Sequence, residues 1–256
     1  MLPATKPRLA SAALQGQDKK ALCAPNRASY PSCGDGTPKL RATVYPEQAS
    51  IANMWFVYLL ALTDCSAFKV GFSCNPFQRI HTFSRRYYER FDVAQSLLLR
   101  LDTEAQARAI EATLKSELAI FRTDSPTWVP LEAGGQTEWF SAVQFGTAEQ
   151  RLRSFLTEHE ASQVIEVGTY IRDELQRLCG SFEPWAWSQA QQACDASASA
   201  YTLRSALAIA DSLRDWLEGY RFFDVPLFND DPAALEFVWS IARRSPNPQP
   251  QRARVS

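Results

Sequence analysis

The hydrophobic pattern is densest between residues 55 and 72. Trp55 to Leu62 is a run without a charge, rich in aromatic and branched side chains, and Ala67 to Phe72 follows with one charge, Lys69. A segment apolar at nearly every position predicts a strand buried on both faces. Thr63-Asp-Cys-Ser66 between the runs is a cluster of turn formers, so the pair reads as a hairpin. Asn75-Pro76 comes next, an N-cap residue followed by proline where its missing N–H costs nothing. Phe77, Ile80, Phe83 or Ser84, and Tyr87 then share one face and predict a helix from Pro76 to about Tyr88. Val93 to Leu101 reads as a third strand. Thr103 with Gln106 makes a capping box, opening a helix to about Phe121 whose inward stripe is Ala107, Ile110, Leu114, Leu118 and Phe121, with Glu111 at its edge. Arg122 to Thr137 predicts a loop, and Glu138-Trp-Phe140 a short closing strand or turn.

From Thr147 the period becomes helical. Helices are predicted at about 147–158, 161–179, 185–195, 199–219 and 232–242, with Gly180 and Gly219 suited to C-terminal caps. Residues 1–50 hold no period and are rich in Pro, Ala, Ser, Gly and Lys, the composition of a disordered segment; a leader preceding a start at Met54 is a second reading of them. The expected organisation is therefore a disordered segment over 1–51, an α+β domain over 52–145, a helical extension over 146–243 and a disordered tail over 244–256. In the domain, a small antiparallel sheet is flanked by helices.

Charge changes this picture in one place. The net charge of −1 hides a segregation: residues 141–240 carry seven basic and fifteen acidic side chains, which argues against that part as a nucleic-acid surface. Within 69–90, by contrast, Lys69, Arg79, Arg85, Arg86 and Arg90 face only Glu89. No run approaches the length of a membrane span and no apolar h-region follows Lys6 and Arg8, so neither a membrane nor a secretory route is expected. Six cysteines without a Cys-x-x-Cys pair, and only two histidines, point to reduced cytoplasmic thiols rather than a zinc site.

Tyr58 in the first strand, Lys69-Val70-Gly71 in the second, Arg79 on the next helix and Glu111 on a later one together resemble the GIY-YIG nuclease superfamily. Phe56-Val57-Tyr58 stands at the first name-giving tripeptide and Lys69-Val70-Gly71 at the second. The first lacks its glycine, and in the second Lys69 replaces the tyrosine. Lysine there, with Glu138-Trp-Phe140 at the end, is similar to a phage and bacterial branch whose second motif reads Lys-Ile-Gly. The resemblance covers residues 55–140 and implies a DNA endonuclease dependent on Mg²⁺ or Mn²⁺. Tyr58, Lys69, Arg79 and Glu111 would be its catalytic residues and Glu111 the metal ligand.

The residue chemistry is compatible with that implication. Arg79 is a permanent forked cation suited to phosphate oxygens, and Glu111 offers the hard oxygen that Mg²⁺ takes. Tyr58 could serve as a base if a nearby cation lowered its pKa, and Lys69 on the neighbouring strand could be that cation. Arg85, Arg86 and Arg90 are the candidate phosphate contacts of bound DNA. Each residue also has a structural reading: Tyr58 as a core aromatic, Lys69 as an edge-strand charge, Arg79 and Glu111 as helix surface, His81 as a solvated side chain, Glu138 as a hydrogen-bonding partner of backbone. Two further functions stay open beside the nuclease: a catalytically weak relative that binds DNA or protein through the same fold, and a helical interaction protein whose extension takes a protein partner or self-associates.

Overall fold

The computed structural model describes residues 54–157, 163–195 and 200–246; the expectations for residues 1–53, and for 247–256 of the tail, lie outside them. A six-stranded antiparallel sheet forms the centre, with strands β1 (Trp55–Ala61), β2 (Ala67–Ser73), β3 (Leu97–Leu101), β4 (Arg122–Thr123), β5 (Trp139–Ser141) and β6 (Gln163–Glu166) in the order β4-β5-β2-β1-β3-β6. Seven helices accompany it among the described residues: α1 (Pro76–Phe83), α2 (Tyr87–Arg90), α3 (Glu104–Glu117), α4 (Phe145–Ser154), α5 (Val167–Asp195), α6 (Ala200–Phe222) and α7 (Pro232–Ala242). The class is α+β with a helical C-terminal extension, as the pattern predicts.

Strand parity divides the core. Phe56, Tyr58, Leu60 and Leu98 face one side, where α1, α2 and the extension helices pack. Val57, Leu59, Val70, Leu97 and Leu99 face the other, under α3 and α4. β1 and β2 are buried along almost their whole length, as their continuous apolar runs require. The hairpin turn is closed by Asp64, whose carboxylate accepts from the Ser66 backbone and hydroxyl, with Cys65 at φ 55°.

Local signals placed two helix starts correctly. Asn75 Oδ1 accepts from the Gln78 N–H at 2.9 Å with Pro76 behind it, and Thr103 and Gln106 form the reciprocal box that opens α3. Four expectations are corrected. The helix predicted to Tyr88 stops at Phe83; Ser84 is extended, and the chain restarts at Tyr87 so that Tyr87 and Tyr88 reach Phe223, just past α6, and Phe222 at its end. The third strand begins at Leu97 rather than Val93, because Asp92 caps a turn that accepts from Ala94 and Gln95. The helix expected from residue 161 opens instead as β6, its Val164 and Ile165 pairing with Leu99 and Leu98 on the free edge of β3. Finally, Gly180 does not end a helix: α5 runs through Gly180 and Pro184 to Asp195. Proline clashes with the carbonyl four residues back, which here belongs to Gly180. Burial of Phe182, Ala186, Ala190 and Ala193 on the same face holds the helix together across that point.

The boundary expected at 145/146 therefore crosses continuous structure. Phe145, Ala148 and Leu152 of α4 pack under the sheet, β6 extends the sheet, and the core above it runs unbroken from Tyr58 to Ile241. No helix of the described residues is long and apolar enough to cross a membrane.

One glycine is required by packing. Tyr58 pairs with Gly71 across β1 and β2, and a Cβ on Gly71 would lie 2.3 Å from Tyr58 Oη and 2.5 Å from Cζ. The tyrosine ring crosses the strand where the side chain is missing. Gly71→Ala is expected to cost about 1–3 kcal/mol, the range for overpacking a filled core, whereas Tyr58→Phe, which removes only a hydroxyl, costs less. Thermal melting of the two variants checks this; an unshifted Gly71→Ala transition would mean that the strand yields freely.

Candidate functional site

β5 is short, with β4 on its outer side, and its pairing with β2 ends at Lys69 opposite Trp139, with one further bond from Val70 N–H to the Glu138 carbonyl at 3.0 Å. Around this end of the ladder the polar side chains collect. Lys69 and Gly71 lie on the same sheet face as Tyr58 and Leu60, since each is the cross-strand partner of one of them. Glu111 and Lys115 come from α3, on the opposite face, and meet the others through Glu138.

Lys69 is the fixed centre. Its side chain has no exposed surface. Its Nζ donates to the Gly135 carbonyl at 2.6 Å and to Glu138 Oε2 at 3.1 Å, and it lies 5.1 Å from the ring centres of Phe83 and Trp139. Burial pushes the ammonium down to about 8, against the pull of Glu138 and with Arg79 and Lys115 adding to the push. The other oxygen of Glu138, Oε1, accepts from Lys115 Nζ at 3.1 Å, and Lys115 also reaches Glu111 Oε1 at 3.3 Å. Burial raises the Glu138 carboxyl, but the two lysines outweigh it and hold it below the usual carboxylate range. Lys115 is moved the other way: burial disfavours its charge, yet Glu138 and Glu111 raise its pKa above the ordinary lysine value.

Arg79 closes the group on the α1 side. Its Nη1 donates to the Ala133 carbonyl at 2.6 Å and to Thr82 Oγ1 at 3.4 Å, and its guanidinium stacks 4.5 Å from the Phe83 ring centre. Tyr58 is 1 % exposed. Burial pushes its hydroxyl up to about 12, although the charge and hydrogen bonding of Arg79 pull it down. Burial therefore works against the base conceived for Tyr58, and the Arg79 guanidinium bonded to its hydroxyl works for it. Lys69 does not assist it, being committed to Gly135 and Glu138.

The structure thus brings Tyr58, Lys69, Arg79 and Glu111 into one cluster, and Glu138 becomes its hub. Lys115 was missed; its i+4 spacing from Glu111 on a helix was the available signal. The loop carbonyls of Ala133 and Gly135 carried no signal at all. Gly134 and Gly135 have φ of 66° and 71°, which lets the loop turn both carbonyls onto the two cations.

The other candidates separate. Arg85 and Arg90 are exposed, and Arg90 stacks on Trp128 at 5.4 Å. Arg86 is corrected: its Nε donates to Asp215 at 2.7 Å and its Nη1 lies 3.3 Å from Glu89 and 3.9 Å from Glu218. Its charge is spent holding α6 rather than offered to phosphate. His81 is corrected as well. It is packed against Phe77 and Tyr87 and stacked on Trp216 at 5.0 Å, and burial, with Arg85 nearby, pushes it down to about 4.

Among the described residues no three His, Cys, Asp or Glu side chains gather as a metal-binding group. Glu111 and Glu138 are the two carboxylates of the cluster, and the Lys115 ammonium lies between them.

Removing Glu138 should cost more than removing Lys69. Glu138→Gln leaves a buried ammonium without its counter-charge, a loss on the order of 3 kcal/mol; Lys69→Met leaves Glu138 still paired with Lys115. The pH dependence has a definite sign. Between about 8, the folded value, and 10.5, the ordinary value, the unfolded chain binds the Lys69 proton and the folded chain does not, so stability contributed by this group rises with pH across that window. Urea unfolding at pH 8 and pH 10 reads both effects; a Lys69→Met chain with the same pH slope as the parent would refute the assignment.

Compared with protein-family models, with curated proteins and with solved structures, the chain matches none, so the functional argument is carried by its residues and their geometry.

Proposed function

We propose that this protein is a metal-dependent DNA endonuclease that hydrolyses phosphodiester bonds by a GIY-YIG-type reaction. The observation that carries the reading is the gathering of Tyr58, Lys69, Arg79 and Glu111, from two strands and two helices, around Glu138. Three cations against two carboxylates leave the cluster with a positive excess, the sign a phosphate needs.

Arg79 is the phosphate clamp, its planar fork aligned by Phe83 and the Ala133 carbonyl. Tyr58 keeps its proton and orients the clamp or an oxygen beside it. Glu111 holds Mg²⁺ or Mn²⁺, which when bound supplies charge neutralisation at the phosphate and at the leaving oxygen. Lys69 and Lys115 hold Glu138 in place and ionised. Arg85 and Arg90 remain for backbone contacts along the DNA.

A second reading, a DNA-binding module with weak or no cleavage, is favoured by one observation: the Tyr58 hydroxyl is buried and held near 12, and Arg79 is already bonded to a carbonyl of its own chain. A nicking assay on plasmid and branched DNA with Mg²⁺ or Mn²⁺ separates the two. On the nuclease reading Glu111→Gln abolishes cutting and spares binding. Arg79→Lys keeps the charge but loses the fork, for a drop on the order of 10²-fold in turnover. A parent that cuts while Glu111→Gln cuts equally well sinks the metal assignment; a parent that binds without cutting leaves the module.

A further inference from the structure

The outer edge of a sheet presents backbone groups that have no partner within it, and one such edge of this sheet carries a pattern that matches itself. β4 is the outermost strand on the β5 side. Arg122, Thr123 and Asp124 are all exposed along it, and they line a shallow groove together with Gln136 and Thr137. Among the described residues, neither Arg122 nor Asp124 takes part in an ion pair or a side-chain hydrogen bond.

In an extended segment Arg122 and Asp124 project to one face and Thr123 to the other. A second β4 laid antiparallel about a two-fold axis at Thr123 sets Arg122 opposite Asp124 of the other copy, twice, with Thr123 opposite itself. Opposite charges directly across a ladder stabilise it and like charges destabilise it. A parallel copy would oppose Arg122 to Arg122, and an antiparallel copy shifted by one residue loses both matches. Short, charged edges ordinarily resist association; here the charges exclude every pairing but that one. Pro126 has no N–H to add to a longer ladder, which keeps the pairing to the stretch where the charges match.

The apolar surface follows the same symmetry. Ile120, Val143 and Leu131, at 85 %, 86 % and 80 %, are the most exposed large apolar side chains of the described residues. Ile120 precedes β4 and Val143 follows β5 at the same end of their ladder, because Arg122 pairs with Phe140. Leu131 lies toward the other end, where its carbonyl accepts from Gln136 Nε2 at 3.1 Å. The two-fold axis brings the Ile120 and Val143 end of one copy to the Leu131 end of the other, so apolar contact flanks the polar ladder on both sides.

We infer that a second copy of this chain docks on β4, antiparallel about Thr123, so that one sheet runs through both molecules. The inference is independent of the cleavage reading, since none of these residues belongs to the cluster around Glu138. It sets the two β5 strands, each preceded by Glu138, about 15 Å apart.

The test is sedimentation equilibrium of the full chain, with melting curves to establish that each variant is folded. The parent is expected to dimerise. Arg122→Asp opposes like charges at both pairs and should weaken the dimer roughly tenfold or more; Asp124→Arg should do the same. The double exchange, Arg122→Asp with Asp124→Arg, restores both pairs and should recover the parent's association. Thr123→Cys, at the axis, should give a disulfide-linked dimer on mild oxidation that the parent does not, because directly opposed residues of an antiparallel pair lie within the Cα separation that a disulfide spans. A parent that stays monomeric at high micromolar concentration overturns the inference. So does a dimer that the single reversals leave intact, which would lie on another surface. Failure of the double exchange to restore association, or a Thr123→Cys chain no more cross-linked than the parent, overturns the pairing about Thr123.

Discussion

A lysine ammonium without exposed surface, at the third residue of β2, constrains the site more than any other group. An unpaired buried charge is expensive enough that folds either neutralise it or pair it, and here three elements are arranged to pair it. β5 must begin where it does, so that Glu138 precedes the first ladder residue. The loop before it must turn back at Gly134 and Gly135, so that a carbonyl faces Nζ; a Cβ on Gly135 would lie 2.6 Å from that nitrogen. Phe83 and Trp139 must bring their ring faces toward it. Because the same carboxylate also receives Lys115, the charge on β2 fixes the end of α3, and Glu111 with it, from the far side of the sheet.

The second constraint is the seam between sheet and extension. Arg86 lies in the short link between α1 and α2, and its bonds to Asp215 and Glu218 join that link to the middle of α6. Tyr88 adds a hydrogen bond to the Asp215 carbonyl at 3.4 Å. In mostly buried ion pairs of this kind desolvation offsets much of the Coulombic gain, but removing one partner is costly, so they determine where the helix is placed more than how tightly it is held. The extension is consequently part of the same core, not an appendage.

What the sequence revealed and what it hid divide along range. The hairpin, the Asn75 and Thr103 caps, the stripe of α3 and the span of α7 depend on residues a few positions apart, and all were legible. The stop at Ser84, the passage of α5 through Gly180 and Pro184, and the strand at Val164–Ile165 depend on neighbours far along the chain, which override local preference. The cluster behaved likewise. Tyr58, Lys69, Arg79 and Glu111 could be selected from spacing and resemblance, because each is a single position in a short motif. The roles of Glu138 and Lys115 could not, since they exist only when α3 and β5 meet across the sheet. His81 misled for the opposite reason: on an isolated helix it points to solvent, and only α6 supplies the Trp216 that covers it.

α1 is shared by these two constraints, which has a consequence for how the site can be disturbed. Arg79 leaves the helix toward the Lys69 cluster, while His81 is packed under α6 and Arg86, just beyond the helix, is bound to it. A helix of two turns, pinned at one end by a buried charge network and at the other by an ion pair and an aromatic stack, cannot rotate without breaking one of them. The phosphate clamp proposed for Arg79 would need sub-ångström placement to stabilise a transition state. The aromatic and ionic contacts of α6 therefore act on Arg79 through the helix itself, and the geometry of the cluster depends on residues more than a hundred positions away.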